Sequence, residues 1–231
     1  MGSRKHRNIR REVVVNTGSI LVKPRESEKL LGLNIHQSLK WREHIQDGNC
    51  SMLISLNRKL IALKKIAVNA SFKTRLLVAN ACFQSVLLYM IPVWGGADNY
   101  RLNSLQMAQN RAARIVTKMT WFTPTRTLLK QCNWLNIKQL VFFHTSIQMW
   151  NIINFRSPTG IYKQIKLSRT RSNAYGTLAI NHVQSALGRQ SFIARGSLVW
   201  NQIPVDIRTA SKMATFRKKL RPWILKNIDN D

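Results

Sequence analysis

From Gly48 to Ile228 this chain carries only two acidic residues, Asp98 and Asp206. Over its 231 residues, 37 Lys and Arg stand against 9 Asp and Glu, a formal charge of +28. Like charge of this density is costly to hold in a compact fold, and phosphate relieves the cost. The expected partner is therefore a polyanion. The same scarcity leaves almost no carboxylates for chemistry that needs a metal-binding pair.

The chain is nonetheless built to fold. Hydrophobic residues make up 45%, with seven Trp and eight Phe, well above what a disordered basic tail contains. Basic residues are spread through the apolar segments, which suits a folded protein with one positive face; a generic RNA-binding protein fits the charge equally well. Cys50, Cys82 and Cys132 are widely spaced and lack a CxxC arrangement, so neither a disulfide framework nor a structural zinc site is expected. Each reads as a small buried apolar residue, and a reducing compartment, nuclear or cytoplasmic, fits best. No apolar stretch follows the basic run at 4–11, so no signal peptide is read there; the run is a localisation signal, a nucleic-acid arm or a solvated tail. The most apolar stretch, 76–93, is interrupted by Asn80, Gln84, Ser85 and Pro92 and reads as a buried helix, not a membrane span.

Along the chain, Val13 to Val15 and Ile20 to Val22 flank an Asn-Thr-Gly-Ser turn and read as a hairpin. The run 29–36 reads as a further strand. Leu53, Leu56, Leu60, Leu63 and Ala67 recur at helical spacing over 51–69, with Arg58, Lys59, Lys64 and Lys65 mostly off that stripe. The stretch 71–91 is apolar around most of a helical circumference and is expected to be central, with Ser71 as its N-cap and Pro92 near its end. The 100–119 segment is the cleanest amphipathic helix: Leu105, Ala108, Ala112, Ile115 and Met119 form one face, and Arg111, Arg114 and Lys118 a basic stripe on another. No acid on that helix neutralises the stripe, which marks it for nucleic-acid contact. A helix begins at Pro124. The aromatic-rich pattern over 133–153, including Trp134, Phe142, Phe143 and Trp150, reads as core. The stretch 156–171 reads as a linker. A last amphipathic helix over 215–228 turns Phe216, Leu220, Trp223 and Ile224 inward and Arg217, Lys218 and Lys219 outward, with Pro222 expected to kink it.

Catalytic constellations are poor. Gly-rich phosphate loops and the GxSxG motif are absent, and no Ser/His/Asp set can be assembled on spacing. His36, His44, His144 and His182 read as structural.

Five segments, in order, carry a resemblance. LLGLNIHQSLKWREHI at 30–45, YMIPVWG at 89–95, LQMAQNRAARI at 105–115, TPT at 123–125 leading to WL at 134–135, and SFIARGSLVWNQIP at 191–204 followed by FRKKL at 216–220 together resemble non-LTR (LINE-type) retrotransposon reverse transcriptases. One departure stands out: the Asp expected after Ile35 is His36.

The resemblance implies a mainly α fold, with a small antiparallel β element of palm-end strands, a thumb-like helical bundle and an α-rich extension. It implies three parts: a basic arm with the palm-end strands at 1–48, the thumb-like domain at 49–155 and the extension at 156–231. It places the metal-binding aspartates of such polymerases before this chain, so no copying of RNA is expected from it alone; Mg2+ belongs to a complete parent polymerase and no cofactor is expected. Leu31, Gly32 and Leu33 correspond to a primer grip. Arg58, Lys59, Lys64, Lys65, Arg111, Arg114, Lys118, Arg217, Lys218 and Lys219 are the expected nucleic-acid contacts, to RNA, an RNA–DNA hybrid or DNA. The rival expectation is a repurposed or truncated product that docks on a polymerase palm or a ribonucleoprotein. No membrane partner is expected.

Overall fold

A computed structural model describes residues 15–16, 18, 21–22, 25–48, 50–168, 176–180 and 183–228. The basic arm, parts of the first hairpin, His182 and the segment 169–175 lie outside the described residues. The fold is mainly α; among the described residues the antiparallel strands lie at the amino-terminal end, and one isolated antiparallel bridge joins Leu167 to Leu178. The chain falls into two compact units, one up to Ser55 and one from Leu56 onward.

In the amino-terminal unit, β1 (Val15–Asn16) pairs with β2 (Leu21–Val22) as an antiparallel hairpin. The run 29–36 is not one strand. It folds back on itself, pairing β3 (Ser27–Leu30) with β4 (Leu33–His36) in the register Ser27↔His36 through Leu30↔Leu33. The two turn residues both take positive φ, Leu31 at 48° and Gly32 at 81°. A two-residue turn of this kind matches the twist of the strands it joins. Glycine adopts it freely, whereas a leucine there costs roughly 1–2 kcal/mol. An apolar residue in an apolar run gave no turn signal, which is why the fold-back escaped the hydrophobic pattern. A π-helical turn, Glu43–Asp47, follows and buries His44 and Ile45. The Asn34 backbone N–H donates to His44 Nδ1 at 3.4 Å, and burial lowers the imidazole pKa to about 4.

The first long helix, α1 (Met52–Ala67), buries Leu56, Leu60, Leu63 and Ala67. Next come α2 (Phe72–Val78), a π-helical stretch (Ala79–Gln84) and α3 (Ser85–Leu88). Ser71 caps α2 as expected, its side chain accepting from the Thr74 N–H. This segment is not central. Leu77 and Tyr89 are exposed, and the four-residue repeat Arg75, Ala79, Phe83 and Leu87 is buried, together with Gln84. A strict four-residue repeat drifts by about 40° per step around an α-helix. The wider π turns offset that drift and keep the four residues on one side.

After Met90, in the left-handed region, α4 (Ile91–Trp94) carries Pro92 in its first turn, so the proline opens a helix instead of closing one. Then follow α5 (Asn99–Thr117), α6 (Thr125–Cys132), α7 (Ile137–Phe155), α8 (Thr159–Tyr162), α9 (Ala186–Arg189), α10 (Phe192–Gln202), α11 (Val205–Arg208) and α12 (Met213–Asn227). The hub is α7, against which α4, α5, α10 and α12 all pack. It is buried around most of its circumference, from Leu140 and Val141 to Met149, Trp150 and Ile152, while the strip His144, Gln148 and Asn151 is half-buried. Asn136 and Gln139 close its start as a capping box, and Gln139 also donates to the Ile228 carbonyl at 2.9 Å.

The aromatic run is core, as expected. Trp150 and Trp200 pack on either side of Phe216, with ring centroids 6.0 and 6.2 Å apart. The indole N–H groups find carbonyls: Trp94 donates to Tyr89 at 2.7 Å, Trp150 to Ala210 at 3.1 Å and Trp200 to Gly176 at 3.1 Å. The cysteines depart from expectation, since Cys132 is buried but Cys50 and Cys82 are exposed. No helix among the described residues is long and apolar enough to cross a membrane.

At Gly95 a Cβ would lie 2.9 Å from Val141 Cγ1 and 2.8 Å from Arg195 Nη1. Alanine there should cost about 1–3 kcal/mol through overpacking between α4 and α7. Asn136→Ala should cost about 1 kcal/mol through loss of the cap. Urea-unfolding midpoints of the two variants measure both.

Candidate nucleic-acid interface

Asp98 starts α5 by accepting from the Arg101 N–H at 3.0 Å, and its carboxylate also pairs with the Arg101 guanidinium. The helix buries Leu102, Leu105, Ala108, Gln109, Ala112, Ala113 and Val116. Of the expected apolar face, Leu105, Ala108 and Ala112 are buried, while Ile115 and Met119 are only half-buried. Gln109 belongs to the core, its amide donating to the Leu135 carbonyl at 2.9 Å.

The three stripe cations have different surroundings. Arg111 is exposed and has no intramolecular partner among the described residues. Arg114 is half-buried, its guanidinium 4.6 Å from the Trp121 ring centroid and its Nη2 donating to the Trp121 carbonyl at 3.4 Å. Lys118 does not extend the helix. It closes α5 in the left-handed region, with φ 56°, and its Nζ donates to the Val68 carbonyl at 3.3 Å. That bond brings it to the same end of α1 as Lys64 and Lys65, which are exposed in the last turn of that helix. Arg58 is also exposed on α1, whereas Lys59 is half-buried.

On α12, Arg217, Lys218 and Lys219 are all exposed. Lys219 Nζ donates to the Asp206 carbonyl at 3.1 Å. Arg217 lines an open cavity of about 340 Å³ with Arg221, His144, Phe143, Trp134 and Gln84. His144 has its pKa lowered to about 4, first by burial and then by the charge of Arg217, so it faces the cavity as neutral imidazole at pH 7. Arg221 donates to the carbonyl and side-chain oxygen of Asn133, at 2.6 and 2.9 Å.

Two arginines outside the expected set are structural. Arg75 is buried, with Nε donating to the Val116 carbonyl at 2.7 Å and Nη1 to the Ala70 carbonyl at 2.6 Å. Arg195 donates to the Pro92 carbonyl at 2.5 Å, and burial lowers its pKa to about 10. Arg189 stays exposed and reaches only the nearby Gln184 carbonyl, at 3.0 Å. Sequence reading had no means of separating Arg75 and Arg195 from solvated cations, because what distinguishes them is a carbonyl distant along the chain, Val116 for one and Pro92 for the other.

Leu31, Gly32 and Leu33 lie at the tip of the β3–β4 hairpin in the amino-terminal unit; Leu31 is exposed and Leu33 buried. At the departure noted above, His36 Nδ1 accepts from the Ser38 N–H at 3.1 Å, the bond an Asp makes two residues on in a turn. Its Nε2 lies 3.5 Å from Glu43 Oε1.

No family model matches the chain, and no solved structure matches it. Over 131 residues it is 27% identical to a probable RNA-directed DNA polymerase from transposon BS of Drosophila melanogaster, covering 56% of this chain and 14% of that protein. The similarity is thus distant and covers a small part of a transposon polymerase.

Arg75→Met should destabilise the protein by about 2–5 kcal/mol, since two inward-facing carbonyls lose a charged donor. Arg111→Ala should leave stability within about 0.5 kcal/mol. Equilibrium unfolding of the two variants distinguishes a structural cation from a free one. By NMR titration, His144 should titrate near pH 4, and Arg217→Ala should move its midpoint upward. Because the folded-state pKa lies below the unfolded value, the stability contributed by neutral His144 should be full above about pH 6.5 and lost as pH falls towards 4.

Proposed function

We propose that this chain is the nucleic-acid-holding part of a reverse-transcriptase-like protein, a clamp for RNA or an RNA–DNA hybrid. The observation that carries the proposal is the set of exposed cations from Arg58 to Lys218 on a carboxy-terminal unit whose sequence contains no acid other than Asp98 and Asp206 before residue 229. Such a surface has almost no internal counter-charge and gains by releasing counterions from a phosphate backbone. The similarity to a transposon RNA-directed DNA polymerase supports the same reading.

In this reading Arg58, Lys64 and Lys65 on α1 and Arg111 on α5 contact phosphates, setting position and affinity but not sequence. Arg114 and Lys118 serve two ends, holding Trp121 and the end of α1 while keeping charge at the surface. The α12 cations Arg217, Lys218 and Lys219 add a second basic strip. The hairpin tip at Leu31 to Leu33 is the primer-grip-like element. A hybrid is favoured over DNA by its shape and 2′-hydroxyls. The three-part division at 48/49 and 155/156 is retained as a functional one: arm and palm-end strands, clamp, extension.

A second reading rests on the same hairpin. Leu30 and Leu31 are 60% and 71% exposed, and among the described residues β3 and β4 pair only with each other. An apolar tip between open strand edges suits docking on a protein such as a polymerase palm or a ribonucleoprotein.

Fluorescence-anisotropy titrations of single-stranded RNA, duplex DNA and an RNA–DNA hybrid of equal length, across a salt series, separate the two. The clamp reading expects tightest binding to the hybrid at matched salt. Arg111→Ala should lower the salt slope by about one unit, and the triple variant of Arg111, Arg114 and Lys118 by at most about three. Unchanged affinity and slope in the triple variant, with the fold intact, would remove the stripe from the interface. Affinity for a protein partner that survives high salt would favour docking.

A further inference from the structure

The loop between α5 and α6 leaves two adjacent aromatic side chains in solvent. Trp121 is 72% exposed and Phe122 92%. Every other tryptophan among the described residues is buried or half-buried. Two large adjacent rings left in solvent, one of them the single exposed tryptophan among the described residues, mark a contact surface.

The loop is held in place. The Thr123 N–H donates to the Thr120 carbonyl at 3.2 Å, and Thr120 and Thr123 pair through their hydroxyls at 3.3 Å. Arg114 grips Trp121 twice, through its carbonyl and through the ring face. One side of the indole thus carries a guanidinium, while most of the residue stays open. Charge around the loop selects the occupant. Lys118 and Arg126 flank it and are exposed, and no acidic residue occurs from Asn99 to Val205. An apolar protein surface would leave those cations unanswered, whereas a nucleic-acid strand supplies base faces for the rings and phosphates for the cations.

We propose that Trp121 and Phe122 form a stacking platform for unpaired nucleobases of a strand whose phosphates lie on the neighbouring cations. This rests on the nucleic-acid-holding role proposed above and adds to it a preference for a single-stranded extension next to the duplex. Stacking accepts any base, so the platform brings affinity for unpaired strand without sequence preference.

The test uses the full chain and two RNA–DNA hybrids with overhangs of equal length, one carrying uracil bases and one abasic with the same phosphates. Wild type should bind the base-carrying overhang more tightly, by roughly 5- to 150-fold per stacked base. Phe122→Ala and Trp121→Ala should reduce or abolish that preference while leaving the affinity for the abasic ligand and the salt slope near wild type. Phe122→Leu, which keeps apolar bulk but has no ring, should behave like Phe122→Ala, and Phe122→Trp should retain the preference. Arg111→Ala should weaken both ligands alike. A wild type that binds both overhangs equally overturns the platform and leaves the clamp standing. Full preference in Phe122→Leu overturns stacking in favour of generic apolar contact. No binding of either ligand at low salt overturns the clamp and the platform together.

Discussion

In a helical unit with almost no carboxylates, backbone carbonyls take the place of counter-ions. Arg75 answers Val116 at the end of α5 and Ala70 beyond α1; Lys118 answers Val68, Arg195 answers Pro92 and Arg221 answers Asn133. Most of these oxygens sit at or just beyond helix carboxyl ends, where the last carbonyls lack an intrahelical partner and the helix dipole is negative. One bond therefore satisfies an orphan acceptor and lodges a cation. A hydrogen bond to a charged group contributes about 1.5–3 kcal/mol, so a handful of these is large against the 5–15 kcal/mol that separates folded from unfolded chains. Among the described residues of the carboxy-terminal unit, Asp98 with Arg101 is the one carboxylate ion pair.

That device divides the cations into two populations. Some, such as Arg75, Arg195 and Arg221, are spent on the carbonyl of another element, and others, such as Arg58 and Arg111, remain as exposed charge. Arg114 and Lys118 belong to both groups, since they bond inward from an amphipathic helix whose outer face also carries Arg111. The protein can thus carry a large excess of positive charge and still pack a core. The unanswered remainder is what a phosphate backbone would meet.

Much of this was legible in the residues. Helical spacing found α1, α5, α7 and α12, and Ser71 and the aromatic run took the roles read for them, while Pro124 stands one place earlier than expected, at the N-cap of α6. The misses share a cause. Segment 71–91 is apolar enough to look central, yet it exposes Leu77, and α7 holds the centre instead. Hydrophobic content does not rank two apolar helices, because centrality depends on how many neighbours each acquires. The turn at Leu31 and Gly32 hid inside an apolar run. The π stretch at Ala79–Gln84 alters which residues face inward by changing the helical period, and that shift has no signature in composition.

The basic stripe was legible as a pattern, but its chemistry was not. Three cations at helical spacing look equivalent along the chain, yet one is free, one grips an indole and one caps a helix. Trp121 and Phe122 were equally opaque, since aromatic residues in this chain are mostly core and their exposure depends on a loop anchored by Arg114. Charge excess, helical character and the want of carboxylates were settled by residue identity alone, because they are sums or local periodicities that no packing can change. Which cation is spent on a carbonyl, which helix is enclosed and which ring is left in water were settled by long-range packing, because each depends on a partner distant along the chain or on a loop that such a partner holds.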